Sequence, residues 1–250
     1  MMKRTALLLA LAVVASLAAC SSPDEGAHEF AVWASTEQFV VSVDARPASE
    51  GDVSAHLVVD GAIADDELVA LTEASRDKAQ SLGISPDAIN IIVGNAWGFS
   101  IDEAGADVAT INTLRVDPSF VGATVEYRPL ENAADYAGGL HGTVGSQAAL
   151  RDAPGTLLAA YTESGGEADV PVTVATADGA FAIAGQGTSL PDDAIHLWQA
   201  ISGRVSLLEA RAALVSGAEK LDVTVGSDDD RVLAESMASS YPSVALTVHR

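Results

Sequence analysis

Period-two alternation marks several stretches of this chain as strands with one face toward a core. Val53, Ala55, Leu57 and Val59 alternate with Ser54 and His56; Leu221, Val223 and Val225 alternate with Asp222 and Thr224. Val170, Val172 and Val174 repeat the pattern, as do Val244, Leu246 and Val248 near the C-terminus. Between them the period lengthens to that of a helix. Over residues 65–82 the stripe is Leu68, Leu71, Ser75, Ala79 and Leu82; Asp65 and Asp66 suit its positive N-terminus, and Gly83 followed by Ile84 predicts a Schellman ending. Residues 190–202 carry Ile195, Trp198 and Ile201, with Ser189-x-x-Asp192 read as a capping box. Residues 228–240 carry Leu233 and Met237 with Tyr241 beyond, opened by Ser227-x-x-Asp230 and stopped by Pro242. Strands mixed with helices in this way predict an α+β fold: antiparallel sheet with helices packed on one face.

Two similar passages point to a tandem repeat. Asp65-Asp66-Glu67-Leu68-x-x-Leu71 matches Asp192-Asp193-Ala194-Ile195-x-x-Trp198, Val93-Gly94 matches Val225-Gly226, and Pro118-Ser119 matches Pro242-Ser243. A competing register pairs Thr156–Val174 with Ser206–Val225 and shifts the copies by half a module. The expected layout is a signal peptide at 1–19, a flexible tether at 20–35, one α+β module at 36–130 and a second at 131–250. The glycines around 138–142 break the pattern between the modules.

The N-terminus changes the picture most. Lys3 and Arg4 precede an uncharged apolar run from Ala6 to Val14, and small residues lead to Cys20, the sole cysteine of the chain. This is a secretory signal layout. Leu17-Ala18-Ala19-Cys20 resembles the lipobox of bacterial lipoproteins, over roughly the first 20 residues. The resemblance implies diacylglyceryl attachment at Cys20 and cleavage before it. It further implies a location at the cell membrane, on the extracytoplasmic face, held by lipid; each buried methylene adds about 0.8 kcal/mol to such an anchor. Residues Ser21 to Gly26 are polar and read as a flexible tether.

Charge excludes one class of partner. The chain has 13 Lys and Arg against 35 Asp and Glu, a formal −22. Removing residues 1–19 takes away Lys3 and Arg4 and no acid, leaving 11 bases against 35 acids, or −24. Phosphate-backbone affinity requires clustered cations, so no nucleic-acid partner is expected. A body this acidic is also repelled by anionic lipid headgroups, so the lipid alone would hold it at the membrane.

Catalytic signatures are sparse. The sequence has no G-x-S-x-G, H-E-x-x-H or Walker motif. Ser75-x-x-Lys78 matches the S-x-x-K of penicillin-recognising enzymes, but Ser75 falls mid-helix on the apolar stripe and no K-T-G follows. The histidines are not at metal-ligand spacing, and Asp228-Asp229-Asp230 suits helix capping better than a calcium loop. No cofactor and no metal is expected. Three residues are candidate ligand or partner contacts. Trp97 and Phe99 continue the parity of Ile89, Ile91 and Val93, either as core or as an exposed platform, and His141 lies in the glycine-rich run Gly138-Gly139-Leu140-His141-Gly142. The expectation is a lipid-anchored, non-enzymatic envelope protein that binds a partner protein or a wall component. A ligand-capturing lipoprotein for a solute or metal is the alternative.

Overall fold

The computed structural model describes residues 23–48, 53–102, 105–127 and 138–250. The lipobox with Cys20, and the expected module boundary at 130, lie outside the described residues.

Helix α1 (Pro23–Ala34) opens the structure and precedes strands β1 (Val40–Pro47) and β2 (Val53–Val59). Helix α2 (Asp65–Leu82) leads to β3 (Ile89–Val93) and β4 (Trp97–Ser100), and α3 (Ala106–Arg115) to β5 (Phe120–Val125) and β6 (Leu140–Val144). Then come α4 (Ala153–Glu163) with β7 (Pro171–Thr176) and β8 (Phe181–Gln186), α5 (Asp192–Ser202) with β9 (Leu207–Val215) and β10 (Ala218–Val225), and α6 (Asp228–Ala238) with β11 (Val244–His249). The eleven strands among the described residues form one sheet whose spatial order is their chain order.

The α+β class and the packing of helices on one face are as expected. The pairing inside the sheet differs. Antiparallel pairs β1–β2, β3–β4, β5–β6, β7–β8 and β9–β10 alternate with parallel pairs β2–β3, β4–β5, β6–β7, β8–β9 and β10–β11, so the sheet is mixed. Each parallel pair is bridged by a helix, as parallel neighbours require. Alternating apolar residues report which face is buried and are silent on the direction of the neighbouring strand, which is why they did not distinguish the two patterns.

The repeating unit is one helix followed by one antiparallel pair. Helices α2 and α5, which carry the matching double-aspartate starts, stand three units apart, as do the Pro-Ser pairs before β5 and β11. The Val-Gly match is not equivalent in structure. Val93 ends the first strand of its pair and Val225 ends the second.

Register places Leu57, Ile91, Phe99, Val125, Leu140, Val172 and, further along, Ile183, Ala212 and Leu221 on one side of the sheet, and all are buried. The helices cover this side. Leu157 of α4 lies over Gly142, Trp198 of α5 stacks on Phe181 with centroids 5.8 Å apart, and α1 is set over Val53. Strand direction reverses from one crossover to the next, while the sheet advances one way and the helices keep to one face. Successive crossovers therefore have opposite hand, a departure from the usual right-handed preference.

Residues 23–34, expected in the tether, are helical. Pro23 occupies the first turn, where its missing N–H costs nothing, and Asp24 and Glu25 face the positive helix end. Ala27, Phe30 and Ala34 are buried against β1 and β2. Their spacing outweighs the polarity of the segment's beginning. The Schellman ending of α2 is present: Gly83 has φ 72° and donates to Gln80 O at 3.1 Å, and Ile84 donates to Ala79 O at 2.9 Å. The expected capping box at Ser189 is absent, because α5 begins one residue after Pro191 and Ser189 lies in a tight turn with Gln186.

Candidate functional site

The opposite side of the sheet is the candidate site. No described helix lies on it. Reading across the strands, one row runs Val58, Ile92, Gly98, Thr124, His141, Thr173, Ala184 and Ala213; a second runs Thr143, Ala175, Ala182, Arg211, Asp222 and Thr247. Its middle is floored by threonine and alanine, mostly half-buried, and bulky polar groups stand toward both ends.

At the β2–β5 end, the ring of Tyr127 lies beside His56, with centroids 5.3 Å apart and Tyr127 Oη 3.2 Å from His56 Nδ1. Gly98 makes room for it, since a Cβ there would come within 3.0 Å of the Tyr127 ring. Behind them Ser100 Oγ sits between Asn90 Oδ1 at 2.9 Å and the carbonyl oxygen of Glu126 at 2.6 Å. At the other end a hollow of about 520 Å³ is bordered by Ala182, Glu209, Arg211, Asp222, Thr224 and His249, and Thr224 donates to Glu209 at 3.1 Å. The face thus offers hydroxyls, imidazoles and both signs of charge over a low floor. Such a surface suits broad polar contact more than a small buried substrate.

His141 belongs to β6 and projects from this face between Thr124 and Thr173; the glycine-rich loop expected around it is a strand entry. Burial lowers its pKa, which favours the neutral imidazole. Phe99 is fully buried in the core, so it is not a contact residue. Gly94, with φ 61°, reverses the chain into β4, so Phe99 and Trp97 sit across from Ile91 and Val93 on the helix-covered side. Trp97 is half-buried against the core and also borders a hollow of about 270 Å³ with Ile92, Thr124 and Tyr127. The structure therefore brings Trp97 and Phe99 together as packing and places His141 on the other face. Sequence reading missed Tyr127, whose role depends on a glycine one strand away. Cys20 lies outside the described residues.

Other chemistry is limited. Among the described residues no three His, Cys, Asp or Glu side chains are grouped to hold a metal ion, and no helix is long and apolar enough to cross a membrane. Ser75 Oγ is buried in α2 without a hydrogen-bond partner, which suits packing and not nucleophilic attack. Comparison with known proteins finds no matching family, no matching curated protein and no matching solved structure.

Proposed function

We propose that this protein is a lipid-anchored binding module of the cell envelope, attached to the membrane through Cys20 and without catalytic activity of its own. Its anchor rests on the resemblance of Leu17-Ala18-Ala19-Cys20 to a lipobox. Its binding role rests on one observation, a sheet face crossed by eleven strands on which no described helix lies. On this reading the partner is an envelope protein or a wall component that meets the face between His56 and Arg211. No cofactor takes part.

The test has two arms. Cys20→Ser should release the protein from the membrane fraction and abolish acyl labelling; a variant that stays bound and labelled removes the anchor from the proposal. Charged replacements on the face, Thr143→Arg with Thr173→Arg, should abolish in-cell crosslinking to envelope material, while the helix-side control Glu73→Arg leaves it intact. Equal crosslinking by all three proteins would refute the binding face.

A further inference from the structure

Successive helices α1 to α4 pack against one another, and α5 packs on α6, but α4 and α5 do not close up. Beside α4 a cavity of about 430 Å³ is lined by Gly155, Leu158, Ala159 and Thr162 of that helix and by Ala168, Thr188 and Leu190 from the loops flanking β7 and β8. No charged side chain lines it. The Thr162 hydroxyl is already spent on its own helix, donating toward Leu158 O at 3.0 Å and Ala159 O at 3.1 Å. The volume lies within the range of small-molecule pockets, and the lining asks for an apolar occupant.

The rim is predominantly acidic. Within three residues of the lining positions the chain places Asp152, Glu163, Glu167, Asp169, Asp192 and Asp193, all exposed, against a single base, Arg151. An apolar cavity under an acidic rim is complementary to an apolar body with a positive head, and it repels fatty acids and phosphorylated lipids.

From this complementarity we propose that the cavity beside α4 is a binding site for small cationic amphiphiles, such as long-chain or aromatic amines. The cavity holds the apolar body, and the rim carboxylates face the ammonium group. This site lies on the helix side of the sheet and does not depend on the binding face proposed above.

The probe is dodecyltrimethylammonium, titrated calorimetrically below its micelle concentration into the full chain, beside dodecyl sulfate and dodecyl maltoside. Saturable binding of one cation per chain is expected, weakening as salt screens the rim. Dodecyl sulfate should bind at least about tenfold more weakly, a gap of roughly 1.4 kcal/mol. A Cβ at Gly155 meets nothing within 4 Å, so Gly155→Leu should fill the cavity and abolish binding without lowering Tm. Ala159→Leu, at an exposed position on the same wall, provides a second filling variant should the first fail to fold. Glu163→Gln with Glu167→Gln and Asp169→Asn should weaken the cation and flatten its salt dependence. No saturable binding, equal affinity for sulfate and ammonium, or full binding by a folded cavity-filled variant would each overturn the proposal.

Discussion

The phenol of Tyr161 on α4 lies in the field of the Asp107 carboxyl on α3. Burial is the main cause of the upward shift of both, and Asp102 and Glu126 add to each. Asp107 is 2% exposed and is pushed up to about 8 from 3.8. The folded chain therefore keeps this proton up to about pH 8, whereas the unfolded chain gives it up near pH 4. Between those values the unfolded state binds fewer protons, so stability falls as pH rises. Asp107→Asn should remove that slope. In urea denaturation the variant should gain on the wild type between pH 5 and pH 8, by an amount on the order of a few kcal/mol. A constant difference at the two pH values would show that Asp107 is not held protonated.

Arg115 closes α3 onto the loop before α2. Its guanidinium donates to Ile63 O at 2.8 Å and Gly61 O at 3.3 Å and lies 3.3 Å from Asp65, with 14% of the Arg115 side chain exposed and 55% of the Asp65 side chain. Arg115→Ala leaves carbonyls without their donor and should cost about 2 kcal/mol. Asp65→Ala removes an exposed partner and a first-turn acid of α2 and should cost about 1 kcal/mol or less. Equal losses in chemical denaturation would contradict this ordering.

Gly142 is set by packing. A Cβ there would meet Phe120 at 2.8 Å and Leu157 and Val174 at 3.2 Å. Gly142→Ala should therefore destabilise by about 1–3 kcal/mol, and Phe120→Leu should recover part of that loss in a double-mutant cycle. Additive losses would remove Phe120 as the cause.

Ser227 caps α6, its hydroxyl accepting from Asp230 N–H at 3.1 Å. Ser227→Ala should cost about 1 kcal/mol and Ser227→Asn, which keeps a neutral capping acceptor beside the Asp230 carboxylate, almost nothing, read from thermal midpoints. Matching losses in the two variants would mean that the cap contributes little.

The buried face was legible because it repeats every second residue: Val53 through Val59 and Leu221 through Val225 are buried as their alternation predicts. Helices α2 and α6 were legible from their stripes and starts, and α5 from its stripe alone. The helix from Pro23 was hidden because its polar first turn resembles a linker, and only Phe30 and the partly buried Trp33 carry its bulky contact with the core. Strand direction was not legible at all. Alternation within β3 is the same whether its neighbour runs with it, as β2 does, or against it, as β4 does. The candidate face was visible only as the polar half of that alternation. Its particular chemistry arises from contacts across strands, such as Tyr127 over Gly98 beside His56, which no local pattern reports.

Because every strand pairs only with the strands before and after it in the chain, the molecule behaves energetically like a linear array. Its stability is close to a sum of unit and nearest-neighbour terms, and no distant segment must be found before a pair can form. Folding can begin at any helix and its adjoining strands and spread outward in both directions, with loop-closure costs kept small throughout. A lesion in one unit then weakens two junctions and leaves the others to hold.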